Sequence, residues 1–390
     1  MNHPLLSGWV VAALFLLAPA ASARVIYVGP NGTVKTIADA SRLAKDDDVV
    51  VIASGQYTGD VALWTQKRLT IRGEGQRPVL VAGGKSEEGK AIWVFRNGDF
   101  KVSNIEFRGA RVDDQNGAGI RFENGKLTIV QCAFFDNQVG ILTGNSADAE
   151  LTIERSIFAQ SPRQTASLPH LLYVGRIAAL RITGSRFHGG YRGHLLKSRA
   201  RVNDIRYNLL VDGDGGSASY EADFPNGGDV TLVGNVLGQS STTENPTLVS
   251  FGSEGSTWPQ SRLKMVHNTL YSKGWRPAWF LRVFKDKFTT APEVMTRNNL
   301  LVGMGLFSMF VEGEHTGNHF ALPSAMGDPA VMDFTLAAGS WLRGRVDPLI
   351  PDSAGLQPRF EQVLPGSVSG IRAPAKWAPG AVQTMTRQQR

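Results

Sequence analysis

The sequence predicts an all-β chain wound as a single-stranded right-handed parallel β-helix, a solenoid with an N-terminal capping helix and an irregular C-terminal cap. Three observations predict it. A degenerate phrase returns through the middle of the chain as "VSNIEF", "VQCAFF", "ERSIFA", "TGSRFH", "RYNLLV", "VGNVLG", "VHNTLY" and "RNNLLV". Its small or amide residue falls at Asn104, Cys132, Ser156, Ser185, Asn208, Asn235, Asn268 and Asn299, a period of two to three dozen residues that marks a repeat architecture. Each phrase follows a short alternating apolar run such as "KLTIV" or "DVTLV" and precedes a second one such as "VGILTG" or "HLLKSRA". Finally, 43 Gly and 19 Pro punctuate the 390 residues, which favours many corners over long helices. The period is too long for hairpins, so a β-sandwich or propeller is the weaker reading.

The first element is "MNHPLLSGWVVAALFLLAPAASA", residues 1–23, an apolar centre followed by a small-residue pattern, which reads as a secretory signal cut before Arg24. An uncleaved anchor is the alternative, because no Lys or Arg precedes the apolar run. No later apolar stretch is long enough to span a bilayer. "TVKTIADASRLAKDDD", residues 33–48, carries Val34, Ile37, Ala38, Ala40 and Leu43 on one helical stripe and is expected to cover the first coil, whose bare edge would otherwise recruit another chain. The coils occupy residues 24–305. From 306 to 390 the phrase fades and Pro and Gly dominate toward the end, so a C-terminal wrap with a partly disordered tail is expected.

The repeated amide has a physical role in such a stack. An inward Asn at a corner can bond the backbone of its own turn and the equivalent Asn one coil on, satisfying groups that the bend would leave buried and unpaired. Stability must come from packing and such ladders, since the lone Cys132 excludes an intramolecular disulfide. The proposed signal contains no Lys, Arg, Asp or Glu, so the exported chain keeps the whole net charge of +7. That favours an anionic partner: an anionic polysaccharide rather than nucleic acid, met by a monomer in the periplasm or outside the cell.

The opening "ARVIYVGPNGTVKTIADASRLAKDDDVVVIASGQYTGD" resembles the start of secreted right-handed parallel β-helix proteins of the pectate-lyase-like superfamily. "DFTLAAGS" and "APGAVQ" are similar to degenerate forms of its closing phrases. The resemblance spans the whole exported chain and implies the fold, but it does not choose a reaction, because this fold hosts lyases, hydrolases, esterases, epimerases and phage adhesins. "LLKS", residues 195–198, resembles the strand that carries the base in chondroitinase B and the alginate lyases of that group, which implies Lys197 as base. Those enzymes add an Arg on the next coil and acidic calcium ligands. Here the next strand reads "ASYEADFPNGG" without the Arg, so only Lys197 carries over, and Arg199 would have to substitute.

Stacking the second strands places "HLLYVGR", "HLLKSRA", "SYEADFP" and "TLVSFGSEG" side by side. Period-two alternation then puts Lys197, Arg199, Glu221 and Asp223 on one wet face, with Tyr220 inward or at the edge. A one-residue slip would reverse this. The set suits β-elimination of a uronic-acid glycan, which needs the C6 carboxylate neutralised, the C5 proton removed and the leaving oxygen protonated. Lys197 or Arg199 could neutralise, and Lys197, Tyr220 or His194 could act as base. Arg192, Arg199 and Arg201 around Lys197 supply like charge, which favours a neutral amine. Arg192, Arg201, His170, Glu254 and Trp258 are the expected substrate contacts. His170 and His194 have the alternative of merely stacking at a corner.

No metal site is predicted, with calcium at "DGDGG", residues 212–216, the one candidate cofactor; Asp-Gly pairs form turns first. The expected function is therefore a lyase of an anionic uronic-acid glycan. Alternatives are a non-catalytic envelope polysaccharide-binding protein, or a glycoside hydrolase using Glu221 and Asp223.

Overall fold

The computed structural model describes residues 23–163, 168–307, 309–348, 355–372 and 374–384; the proposed signal segment, apart from Ala23, and residues 385–390 of the expected tail lie outside them. Among the described residues thirty-three short strands form three parallel sheets of 12, 10 and 11 strands, and from the second strand on every third strand in sequence enters the same sheet. Each coil therefore contributes one strand to each sheet, which is the right-handed parallel β-helix expected.

Inward columns of like residues build the core. In the third sheet the register aligns Leu80, Phe107, Phe134, Phe158 and Phe187, then Leu210, Leu237, Leu270 and Leu301. The four Phe rings stack nearly parallel with centroids 5.1, 4.6 and 4.7 Å apart. Each fully buried ring of this kind is worth about 1.5–3 kcal/mol relative to exposure.

The corner ladder is present. Asn208, Asn235 and Asn268 each donate Nδ2–H to the Oδ1 of the next amide at 3.0 Å, and Asn299 does so to Asn318 at 2.8 Å. The same Oδ1 atoms accept the backbone N–H of the preceding rung at 2.9–3.0 Å. Ser185, Ser156 and Cys132 extend the series, each rung's backbone N–H meeting the next side chain. One position needs correction. Asn104 is not a rung: it stands at φ +55, in the column shared by Gln131, Arg155, Tyr207, His267 and Asn298, and buried Ile105 takes the rung. Asn suits both the ladder and the left-handed region, so its identity alone did not fix the register. Asn318 is a rung that the phrase did not reveal.

The capping helix runs over Ile37–Leu43, with the Thr36 hydroxyl accepting the Asp39 N–H at 3.0 Å. Asp60, on the first coil, accepts the N–H groups of Ile37 and Ala38 at 2.7 and 2.9 Å. Its buried face is Ile37, Ala40, Ser41 and, just beyond, Ala44. Leu43 is exposed and Ala38 half-buried, because the buried stripe runs at i, i+3, i+4 and i+7 from Ile37 and leaves both on its flanks.

Parallel pairing continues past 305, through Glu314–Thr316 and His319–Ala321. The expected boundary thus falls inside the last coil. Beyond it, Phe334, Leu336, Leu342, Ala378 and Ala381 cover the outer face of the third sheet, and an antiparallel hairpin, Phe360–Val363 with Ser367–Gly370, follows. The second sheet is left without that cover, and the candidate chemistry lies there.

Candidate functional site

Four strands of the second sheet carry the site: Leu172–Val174, Leu196–Ser198, Ala222–Phe224 and Thr247–Phe251. Their register aligns Tyr173, Lys197, Asp223 and Ser250 in one outward column, while Leu172, Leu196, Ala222 and Val249 line up in the core. Arg199 follows the strand immediately. Its turn is braced from inside, where the buried Ser198 hydroxyl donates to Asn203 Oδ1 at 2.6 Å and Asn203 Nδ2–H returns to the Ala200 carbonyl at 2.9 Å.

One carboxylate joins the two cations. Glu254 Oε1 lies 2.9 Å from Lys197 Nζ, and its Oε2 lies 2.7 Å from Arg199 Nη2. The loop that delivers Glu254 is fixed by Glu254 N–H to Pro225 O at 2.9 Å, Thr257 N–H to Asn226 O at 3.1 Å and Asn226 Nδ2–H to Gly255 O at 3.0 Å. Burial works against ionisation of Glu254, but the hydrogen bonds from Lys197 and Arg199 win and hold its carboxyl below the ordinary value. Arg199 is further oriented by Nε–H to the Tyr173 phenol oxygen at 3.1 Å and by a bond to Asn226 Oδ1. Both cations also lie over the Tyr173 ring, 5.6 and 5.8 Å from its centroid.

Behind Lys197 sits Asp223, with Oδ2 3.9 Å from Nζ and 3.5 Å from His194 Nε2. Only 1% of Asp223 is exposed, and desolvation pushes its carboxyl up to about 6 despite the Ser250 hydroxyl and Lys197. His194 and His170 stack, with Tyr220 closing the pile at 4.6 Å from the His194 ring. The His194 backbone N–H donates to His170 Nδ1 at 2.9 Å, so His170 in its neutral form carries its proton on Nε2. Burial, then the charge of Lys197 and Arg199, drives His170 down to about 3. Burial also drives His194 well below its ordinary value, with His170 and Lys197 adding to the effect. Both are neutral imidazoles at physiological pH.

Several expected residues stand elsewhere. Glu221 precedes the first paired residue of its strand, so alternation does not apply to it. It is fully buried on the opposite side, where desolvation and then Asp212 raise its carboxyl well above the ordinary value, and neither oxygen has a hydrogen-bond partner of good geometry. A hydrolytic Glu221–Asp223 pair on one face is thereby overturned. Arg192 pairs with Glu244 at 3.3 Å and Arg201 is exposed on the turn into the first sheet; the nearest charges to Lys197 besides Arg199 are carboxylates, not the expected ring of arginines. Trp258 is half-buried and donates its indole N–H to the Arg199 carbonyl at 3.1 Å, so it braces the wall.

The aspartates of "DGDGG" diverge. Asp212 accepts N–H groups from Gly190 and Ala218 at 2.6 and 2.8 Å, whereas Asp214 meets Lys273 at 2.7 Å. Tyr173 is the residue of this cluster that charge-based reading missed. Aligning "HLLYVGR" with "HLLKSRA" from their shared "HLL" puts it beside Lys197.

Pectate lyase Pel9A superposes with a TM-score of 0.62 over 84% of this chain and 92% of its own, at 14% identity. The chain has the pectate-lyase-like parallel β-helix fold. An alginate lyase from Paenibacillus sp. str. FPU-7 matches with a TM-score of 0.53 over 76% of this chain and 99% of its own, at 13% identity. No protein-family model and no curated protein matches the sequence. At such identities the likeness establishes the fold alone.

Proposed function

We propose that this protein is an exported polysaccharide lyase that cleaves an anionic uronic-acid glycan by β-elimination on the outward face of the second sheet. The observation that carries the reading is the seat built by Lys197 and Arg199, which already holds a carboxylate from Glu254 at 2.9 and 2.7 Å. A uronate carboxylate has the same charge and planar fork, and an Arg fixed by Tyr173 and Asn226 is preorganised to receive it. The titles of the two superposed structures, a pectate lyase and an alginate lyase, agree with that substrate class, and the apolar segment of residues 1–23 supports action outside the cytoplasm.

In this reading the glycan displaces Glu254. Arg199 neutralises the C6 carboxylate, and neutral Lys197 takes the C5 proton. The freed electron pair forms the C4–C5 double bond as the C4–O bond breaks. Tyr173, whose oxygen accepts from Arg199, gives its proton to the leaving oxygen, and the Lys197 ammonium then restores the phenol. Protons balance over the cycle.

The test is incubation with alginate, polygalacturonate, chondroitin and hyaluronan while following the ultraviolet absorbance of the unsaturated product. Growth in absorbance that Lys197→Ala abolishes supports the proposal. New reducing ends without absorbance point to hydrolysis, and binding without cleavage to a polysaccharide-binding role; either overturns it.

A further inference from the structure

The loops that lead into the second sheet line one side of the site, one per coil: Arg192 from the coil of Lys197, Tyr220 from the next, then Glu244, then Trp275. The Arg192–Glu244 pair at 3.3 Å ties the first of these loops to the third. Glu244 in turn lines a recess of about 160 Å³, together with Gln239, Thr243, Pro246, Trp275 and Arg276. That is room for one sugar ring.

Trp275 stands on this recess with 76% of its surface exposed. The contrast with Trp64 and Trp93, which are fully buried in the core, shows what the chain does with Trp when packing is the purpose. A lone exposed apolar side chain is ordinary. Here it comes with a polar recess and with the Arg276 guanidinium 5.0 Å from the ring centroid, and Arg276 has no carboxylate partner among the described residues. An aromatic plate with a guanidinium over one face and hydroxyl-bearing loop residues nearby is a combination that meets a pyranose: the other face of the plate takes the apolar face of the sugar and the polar groups take the rim.

We propose that this recess is a second glycan subsite, in which Trp275 stacks on a sugar ring and Arg276 meets its carboxylate or hydroxyls. Three coil steps separate the strand of Lys197 from that of Trp275, about 14 Å along the axis at the strand spacing of β-sheets. Only an oligosaccharide spans that length, so the subsite selects chains over single sugars and holds a polymer while the Lys197 seat works. The inference rests on the polysaccharide reading above but not on the reaction.

The experiment measures affinity by calorimetry for polygalacturonate and alginate and for the trisaccharides of each, in wild type, Trp275→Ala and Trp275→Phe. The expected result is a fall of about tenfold in the polymer-to-trisaccharide affinity ratio for Trp275→Ala, partly restored by Trp275→Phe because a smaller plate remains. The exposed position keeps both variants folded, which circular dichroism checks. An unchanged ratio overturns the subsite even if the protein proves to be a lyase. A reduced ratio in a protein that makes no unsaturated product supports the subsite and sinks the reaction. Absence of polymer binding by wild type overturns both.

Discussion

Two stacks in this molecule are built by the same translation and do opposite things. At the corner leading into the third sheet, Asn208, Asn235, Asn268, Asn299 and Asn318 repeat one side chain, and each rung satisfies the next. On the second sheet, Tyr173, Lys197, Asp223 and Ser250 occupy equivalent places with four different side chains. Repetition gives stability because an amide is both donor and acceptor, so identical neighbours complete each other. Variation leaves room for chemistry, because it holds a phenol, an amine and a carboxyl a coil apart on one face. A parallel β-helix separates these uses by corner and face.

The sharpest way to break the comparison is to remove the variable column's amine. Lys197→Ala should cost roughly a hundred- to ten-thousandfold in turnover, the range for a lost proton-transfer group, with a smaller loss of stability, since the side chain is 12% exposed and its removal takes a partner from Asp223 and Glu254. Product absorbance at saturating glycan measures it. Turnover within a few fold of wild type would remove Lys197 from the reaction.

The repeating stack should show the reverse pattern. Asn235→Ala strands the backbone N–H of Asn208, one of its two Nδ2–H groups and the Ile205 carbonyl, all buried, while Asn268 Oδ1 keeps the backbone N–H of residue 235, and should lower unfolding free energy by about 3 kcal/mol. Activity per folded molecule should persist. Asn235→Ser, which places there the residue that already serves at Ser156 and Ser185, should lose less. Equal losses for Ala and Ser in denaturant titrations would mean that the rung acts by packing alone.

That contrast also explains what the sequence disclosed. Rungs were legible because they repeat, and the slip at Asn104 arose where Asn fits the neighbouring left-handed position as well. The pairing of Lys197 with Asp223 followed from register. Glu221 did not, since its strand begins at Ala222 and a bend residue obeys no alternation. Tyr173 escaped because an unlike column has no internal repetition to mark it; only the alignment of "HLL" with "HLL" pointed there.

Glu221 sharpens the comparison from the side of stability, being a carboxyl buried without the reciprocal partner that every rung has. Its folded value lies well above the ordinary 4.5 because of burial and Asp212. The folded state therefore binds a proton that the unfolded chain releases above 4.5, and this contribution to stability falls as pH rises past that value. Glu221→Gln removes the penalty while keeping the shape. It should raise the denaturation midpoint near neutral pH, by on the order of 1 kcal/mol, and the gain should vanish below 4.5. A gain that persists in acid would place its cause in packing rather than in the proton.

The smallest expected effect tests whether Glu254 belongs to the working column or only occupies it. Glu254→Gln keeps the side chain's shape and removes the charge that Lys197 and Arg199 share. If Glu254 stands in for the glycan carboxylate, the substitution frees both cations and tightens polyuronate binding. Solvent screening of a side chain that is 43% exposed keeps the gain to about threefold. The gain should also shrink as salt rises, because added ions weaken the pairing that Glu254 supplies in the resting state. Weaker binding in the Gln variant would instead make Glu254 a fixed part of the seat, holding Lys197 and Arg199 in place for a ligand that enters beside it.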